Sequence, residues 1–199
     1  MILKIVQAGD PVLRQKARRL SAEEIRSPAV QDLIEQMRET MYDAPGVGLA
    51  APQVGLPLQL AVIEDRPDYM EHMDPAKIAE IERVHVPFHV LVNPHIVLDE
   101  TSTATYFEGC LSMSGFTGLV PRAAAVHVEA MNERGEPVSI DARGWYARIL
   151  QHEVDHLRGV MCTDRMHPRS LMTNQNHARH WAGLSIEEIM RTLEMERAH

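Results

Sequence analysis

Gly144-Trp145-Tyr146-Ala147-Arg148-Ile149-Leu150-Gln151-His152-Glu153-Val154-Asp155-His156-Leu157-Arg158-Gly159 carries an apolar stripe and a polar cluster on one helical period. Trp145, Ile149, Leu150, Val154 and Leu157 recur at helical spacing, and Gly159 supplies the stop. The stretch therefore predicts a helix buried along one side and lining a site along the other. Two histidines four residues apart on a helix differ by about 40° in direction and about 6 Å in rise. Both imidazoles of His152 and His156 can reach one divalent metal, with Glu153 beside a water that the metal carries. This is the His-Glu-x-x-His arrangement of metallohydrolases, two ligands and a general base in one turn. The bland alternative is a solvated helix that happens to carry these residues. The motif names a metal site without naming a substrate.

A third ligand has two sources, because the chain has two cysteines. Extending the motif forward, Gly159 lies three residues after His156 and Cys162 lies ten after His152; a metzincin protease would have glycine and histidine there. Looking back, Cys110 sits in Glu108-Gly109-Cys110-Leu111-Ser112, where a thiolate from a separate strand or loop would complete a Cys-His-His set and leave a fourth position open. If both cysteines joined both histidines, the site would be closed and structural, with no place for substrate. Cys162 follows the apolar run Gly159-Val160-Met161, where a free cysteine behaves as a small hydrophobe.

The rest of the chain fits a compact enzyme. With 199 residues and 45% apolar content, one domain over residues 1–199 is the expected size class. Its net charge of −8, from 20 basic and 28 acidic residues, disfavours direct nucleic-acid or membrane-surface binding. Two cysteines make no disulfide framework and suit a reducing compartment. No apolar run approaches membrane-spanning length. The opening Met1-Ile2-Leu3-Lys4-Ile5-Val6 enters domain-like sequence at once, which sets the expectation of a cytoplasmic location.

Ser27-Pro28 opens a predicted helix with Val30, Leu33, Ile34, Met37 and Met41 on one face, ending before Pro45-Gly46. Gly46 to Gly55 reads as a loop, leading to a strand at Leu58 to Ile63. Glu64 to Arg83, with a short helix from Pro75, reads as a charged surface insertion. Strands are expected at Phe88 to Val92, Ile96 to Leu98 and Thr103 to Phe107. A hairpin follows, from Ala125 to Met131 and Val138 to Ala142. A last helix begins at Ser185, with Glu188 completing a capping box. Strands gathered between helices predict an α+β domain rather than alternating βαβ units.

Three stretches in order now make the chain resemble the peptide deformylases: Gly46-Val47-Gly48-Leu49-Ala50-Ala51-Pro52-Gln53, then Glu108-Gly109-Cys110-Leu111-Ser112, then Gln151-His152-Glu153-Val154-Asp155-His156. The likeness runs from Ile5 to about Arg169. It implies small mixed and antiparallel sheets around a central metal-binding helix. It selects Cys110, His152 and His156 as metal ligands, with Fe2+ as the cellular ion and Zn2+, Ni2+ or Co2+ as substitutes. The activity implied is hydrolysis of the formyl group from N-formyl-methionyl nascent peptides, releasing formate. Metal-bound water would attack, with Glu153 as general base and then acid. Gln53 (side-chain amide) and Leu111 (backbone N–H) would steady the oxyanion, and Gly48 would offer backbone contact to substrate. A zinc endoprotease of His-Glu-x-x-His type is the competing enzymatic reading, and a structural metal site the non-catalytic one.

Position beside these motifs nominates Val47, Trp145 and Ile149 as walls of a methionine pocket, with core packing the alternative for the last two. Asp155 is read as orienting a ligand or capping a local network. The remaining histidines match no ligand position of the family. Met113-Ser114-Gly115-Phe116 departs from the family's usual aliphatic-proline-glycine sequence. Together with the Gly-Trp-x-Ala-Arg lead-in it points to the branch shared with organellar enzymes, here expected in a bacterial cytoplasm. The terminal helix, at about 185–198, places Ile186, Ile189, Met190 and Leu193 on one stripe, while acidic residues outnumber basic ones. Some relatives dock a basic helix on the ribosome. An acidic helix gains no attraction to RNA phosphates, so packing on its own domain or a second copy in a homodimer is expected, with at most a transient ribosome contact.

Overall fold

The structure is a computed structural model and describes residues 1–194. Ser21 and Glu24 close a capping box on the short helix α1 (Ala22–Ile25), and Ser27 caps α2 (Pro28–Asp43), with Pro28 in its first turn. A proline there costs nothing, since that N–H has no intrahelical partner. Val30, Ile34, Met37 and Met41 are buried on the face predicted from their spacing.

That face rests on an antiparallel sheet whose strands, in spatial order, are β1 (Gly48–Ala50), β2 (Leu60–Asp65), β3 (Val86–Leu98), β6 (Ala125–Met131) and β7 (Pro137–Arg143). The second sheet, β4 (Thr103–Gly109), β5 (Phe116–Ala123) and β8 (Met172–Thr173), is also antiparallel. Leu60, Val62, Val90 and Val92 join the cluster under α2, whereas Ile63 and Leu91 join the one on the opposite face. Successive strand residues point to opposite faces, so the Leu60–Ile63 part of β2 is apolar because both its faces are covered.

The opposite face carries α4 (Gly144–Leu157), whose Ile149, Leu150 and Val154 pack on Ile63, Ile96, Val126 and Val128. Each such aliphatic side chain contributes roughly 1.5–3 kcal/mol on burial. The sequence-derived ends of α4 hold. Gly159 adopts φ +75°, and a Cβ there would lie 2.7 Å from the Arg14 carbonyl oxygen. At the other end, Trp145 N–H donates to Ile81 O at 2.8 Å, satisfying one of the helix's open donors.

Two expectations are corrected, and one strand is added. The separate strands at Phe88–Val92 and Ile96–Leu98 are one strand, β3, with a register shift between Val92 and His95. Asn93, at φ +53°, forms this irregularity and binds Leu20 N–H and C=O through its side chain at 2.9 and 2.8 Å. The Gly46–Gly55 loop contains strand β1 and a 3-10 turn, Ala51–Val54. Strand β5 had no sequence forecast. Its Pro121 pairs with Thr105 of β4, while β8 reaches only Phe116 and Thr117, so the missing N–H falls where no ladder needs it.

The charged segment after β2 is exposed over α3 (Pro75–Glu80), but its end is anchored: Arg83 binds fully buried Asp65 through Nε and Nη2, both at 2.7 Å. Beyond β8 come α5 (Asn174–His180) and α6 (Ile186–Thr192). Ser185 and Glu188 form the expected capping box on α6, and Ile189 is buried. The part of the predicted terminal helix beyond residue 194 lies outside the described residues.

Candidate active site

Helix α4 presents His152 and His156 toward the end of β4, where the chain turns through Cys110. His156 Nε2 lies 3.1 Å from His152 Nε2 and 3.3 Å from Cys110 Sγ. All three ligand atoms fall within 4.8 Å of one another, the one cluster of this kind among the described residues. Two imidazole nitrogens and one thiol sulfur converging from one side match three corners of a tetrahedral donor set, with the fourth left open. The donor chemistry thus fits a divalent transition metal. Cys162 stands behind Cys110, buried among Met113, Val120 and Met166, as a small apolar side chain would.

Glu108 was not anticipated as a partner of the cluster. It accepts a hydrogen bond from His152 Nδ1 at 2.6 Å, which directs Nε2 at the site. The same carboxylate accepts from Arg122 at 2.6 and 3.1 Å and from Arg148 Nη1 at 3.0 Å. Burial alone would raise the Glu108 carboxyl, but His152 and Arg122 hold it well below the usual carboxylate range. Burial would lower His152, yet Glu108 outweighs it and the metal-free imidazole is held up to about 9. His156 lacks such a carboxylate; burial and then His152 push it well below its ordinary value. Metal binding must displace the proton on His152, so acid competes with the ion.

Asp155 faces away from the ligands. It pairs with Arg122 and accepts from Arg165 Nε and Nη2 at 2.7 and 2.8 Å, bracing the far side of α4. Of its two expected roles it takes the network one, and Glu108 takes the histidine. A buried charge cluster of this sort is costly to break, since losing one partner strands the other at about 3–5 kcal/mol.

Glu153 is buried, with Oε2 lacking a hydrogen-bond partner among the described residues. Burial raises its carboxyl to about 7, against the pull of His152. Gly48 on β1 makes room for it: a Cβ there would lie 2.3 Å from Glu153 Oε1. Gln53 faces the thiol from the 3-10 turn. Its Oε1 accepts from Ala50 N–H at 2.9 Å, which turns Nε2 toward Cys110 Sγ at 3.6 Å and Ser112 Oγ at 3.3 Å. Leu111 O accepts from Gln7 Nε2 at 3.0 Å, and its own N–H has no acceptor among the described residues.

These groups line one cavity of about 590 Å³ that also takes in Val47, Trp145 and Ile149. Its outer part is formed by Ser114, Gly115, Phe116 and Asn174. The structure thus brings every nominated site residue to one cavity or its metal cluster. Gly48→Ala is expected to lower turnover by about 10²-fold by displacing the Glu153 carboxylate, the scale on which small misplacements act. Metal content should be retained. Near-normal turnover with bound metal would show that Glu153 tolerates the shift.

A family model described as Polypeptide deformylase matches residues 2–171. The chain is 43% identical over 172 residues to the Solanum lycopersicum protein named peptide deformylase 1A, chloroplastic, covering 86% of this chain and 62% of that one. It spans less than two thirds of that relative and of its Arabidopsis thaliana counterpart, at 64%. Streptomyces avermitilis peptide deformylase 3 is 44% identical over 90% of this chain and 78% of its own. Among solved structures, a Met-Ala-Ser-bound class I type b peptide deformylase from Acinetobacter baumannii superposes with TM-score 0.73 at 32% identity, over 83% of this chain and 99% of that one. With a family match across most of its length and bacterial relatives well above 30% identity, this chain belongs to the polypeptide deformylase family.

Proposed function

We propose that the protein removes the formyl group from the N-terminal formyl-methionine of newly made polypeptides, releasing formate. The observation that carries this reading is the convergence of Cys110, His152 and His156 with the buried Glu153 carboxyl at one cavity. Cys110, His152 and His156 would hold a divalent ion, which would supply Lewis acidity toward water and the formyl carbonyl. Glu153 takes the water's proton and returns it to the departing amine, as suits a carboxyl raised to about 7. The Gln53 amide and Leu111 N–H donate to the carbonyl oxygen as it gains charge. Gly48 offers its backbone to the peptide, and Val47, Trp145 and Ile149 receive the methionine side chain.

Ferrous iron is the ion we assign in the cell, with zinc, nickel and cobalt as replacements on the same ligands. No helix among the described residues is long and apolar enough to cross a membrane, and we place the enzyme in the cytoplasm. The terminal helix is assigned to packing, on its own domain or a second copy, in preference to ribosome docking.

The test is anaerobic purification, metal analysis and formate release from formyl-Met peptides, beside unformylated peptides of the same sequence. Formate release without internal cleavage supports the proposal. Internal cleavage of unformylated peptides would instead establish a His-Glu-x-x-His endoprotease. A metal-loaded protein inert on both would leave the site structural.

A further inference from the structure

We propose that Asn174, carried by the segment Met172–His180, reads the peptide chain downstream of the formyl-methionine. This deepens the deformylase reading and rests on it. Asn174 lines the outer part of the same cavity as the metal cluster, beside Gly115 and half-exposed Phe116. The family match stops at residue 171, so this wall is built from chain outside the matched region.

The segment is fixed in place at several points. Thr173 pairs with Phe116 and Met172 with Thr117, adding β8 to the edge of β5. Asn174 N–H donates to Gly115 O at 2.9 Å. Just upstream, Ser170 Oγ accepts from Leu119 N–H at 2.8 Å. Downstream, the His177 ring lies against Phe107 of β4, with centroids 4.3 Å apart. These anchors use the backbone and the neighbours of Asn174, leaving its side-chain amide exposed at the mouth.

A formyl-methionine seated with its carbonyl at the metal cluster fills the inner part of the cavity, among Val47, Trp145 and Ile149. The following residues must leave past the Ser114–Phe116 turn and Asn174. An asparagine amide offers N–H donors and a carbonyl acceptor in one plane, which complement the single C=O and N–H of a peptide unit. It carries no charge, so it recognises main chain without selecting side-chain sequence. Because its backbone is already held, little conformational freedom is lost on binding. A deformylase that meets many different chains needs this type of contact.

The experiment compares formyl-Met-Ala with formyl-Met-Ala-Ser-Ala on the metal-loaded wild type, Asn174→Ala and Asn174→Gln. One lost hydrogen bond of ordinary strength corresponds to about a fivefold change. The long-to-short ratio of kcat/KM is expected to fall by about that factor in Asn174→Ala, through KM for the longer peptide, and to recover in part in Asn174→Gln. The ratio is taken within one preparation, so partial loss of active protein cancels. An unchanged ratio in Asn174→Ala overturns the inference, as does an equal loss on both peptides. If wild type releases no formate from either peptide, the deformylase reading falls, and this one with it.

Discussion

Glu153→Ala is expected to keep its metal and lose formate release by about 10²–10⁴-fold, the usual worth of a positioned general base. One residue is asked to perform both proton transfers, which places the effect toward the upper end. The carboxylate lies outside the group of converging donors, Cys110, His152 and His156, so metal retention would separate its role from theirs. Its environment suits the task. Enclosure among α4, β1 and the cavity holds its carboxyl to about 7, where it both accepts and releases a proton near neutrality. The sign follows: the base form is lost as pH falls through that value, so activity should decline on the acid side, and a bound cation should shift the decline to lower pH. Glu153→Ala should lack that limb in its residual activity. Metal analysis beside a pH profile of formate release makes the check. Near-normal turnover in a metal-loaded variant would remove Glu153 from the mechanism.

The features legible in the sequence were those with a local period or cap. Helix α4 could be read because its apolar stripe and its His-Glu-x-x-His cluster share one period, and Gly159 ends it where a side chain would strike the Arg14 carbonyl. Helices α2 and α6 announced themselves through Ser27-Pro28 and Ser185…Glu188. The hairpin of β6 and β7 was legible because its turn and its alternation agree. What stayed hidden depends on contacts between distant residues. Asn93 interrupts the pattern of β3, yet the strand continues because its side chain takes over the Leu20 backbone groups, 73 positions away. Glu108 meets His152 across 44 positions and Arg148 across 40, and no periodicity encodes such a meeting. One signal was available: Arg148 lies on the buried side of an apolar helix, a placement that requires a carboxylate partner. The order Cys-His-His followed from resemblance, and geometry then gave Cys162 a different surrounding from Cys110.

Cys110→Ser is expected to weaken metal binding severely, whereas Cys162→Ser should leave metal content and turnover close to those of wild type. The two thiols pack at one apolar cluster, so apolar packing alone does not separate them. The difference comes from direction. Cys110 Sγ is 3.3 Å from His156 Nε2 and within donor range of Gln53 Nε2, whereas Cys162 faces Met113, Val120 and Met166. Without metal, contact with Cys162 and burial hold the Cys110 thiol well above its ordinary range. A cation at the cluster opposes both by favouring the thiolate. Serine at Cys110 keeps the shape but offers a hydroxyl whose proton is far harder to lose, and it replaces a soft ligand that suits late transition metals. Serine at Cys162 changes one sulfur to oxygen in an apolar pocket, which affects thermal stability before it affects the site. Metal content after matched anaerobic loading reads the outcome directly. Loss of metal from Cys162→Ser with retention in Cys110→Ser would move the third ligand to the protease-like position, and loss from both would indicate a closed site built on two thiolates.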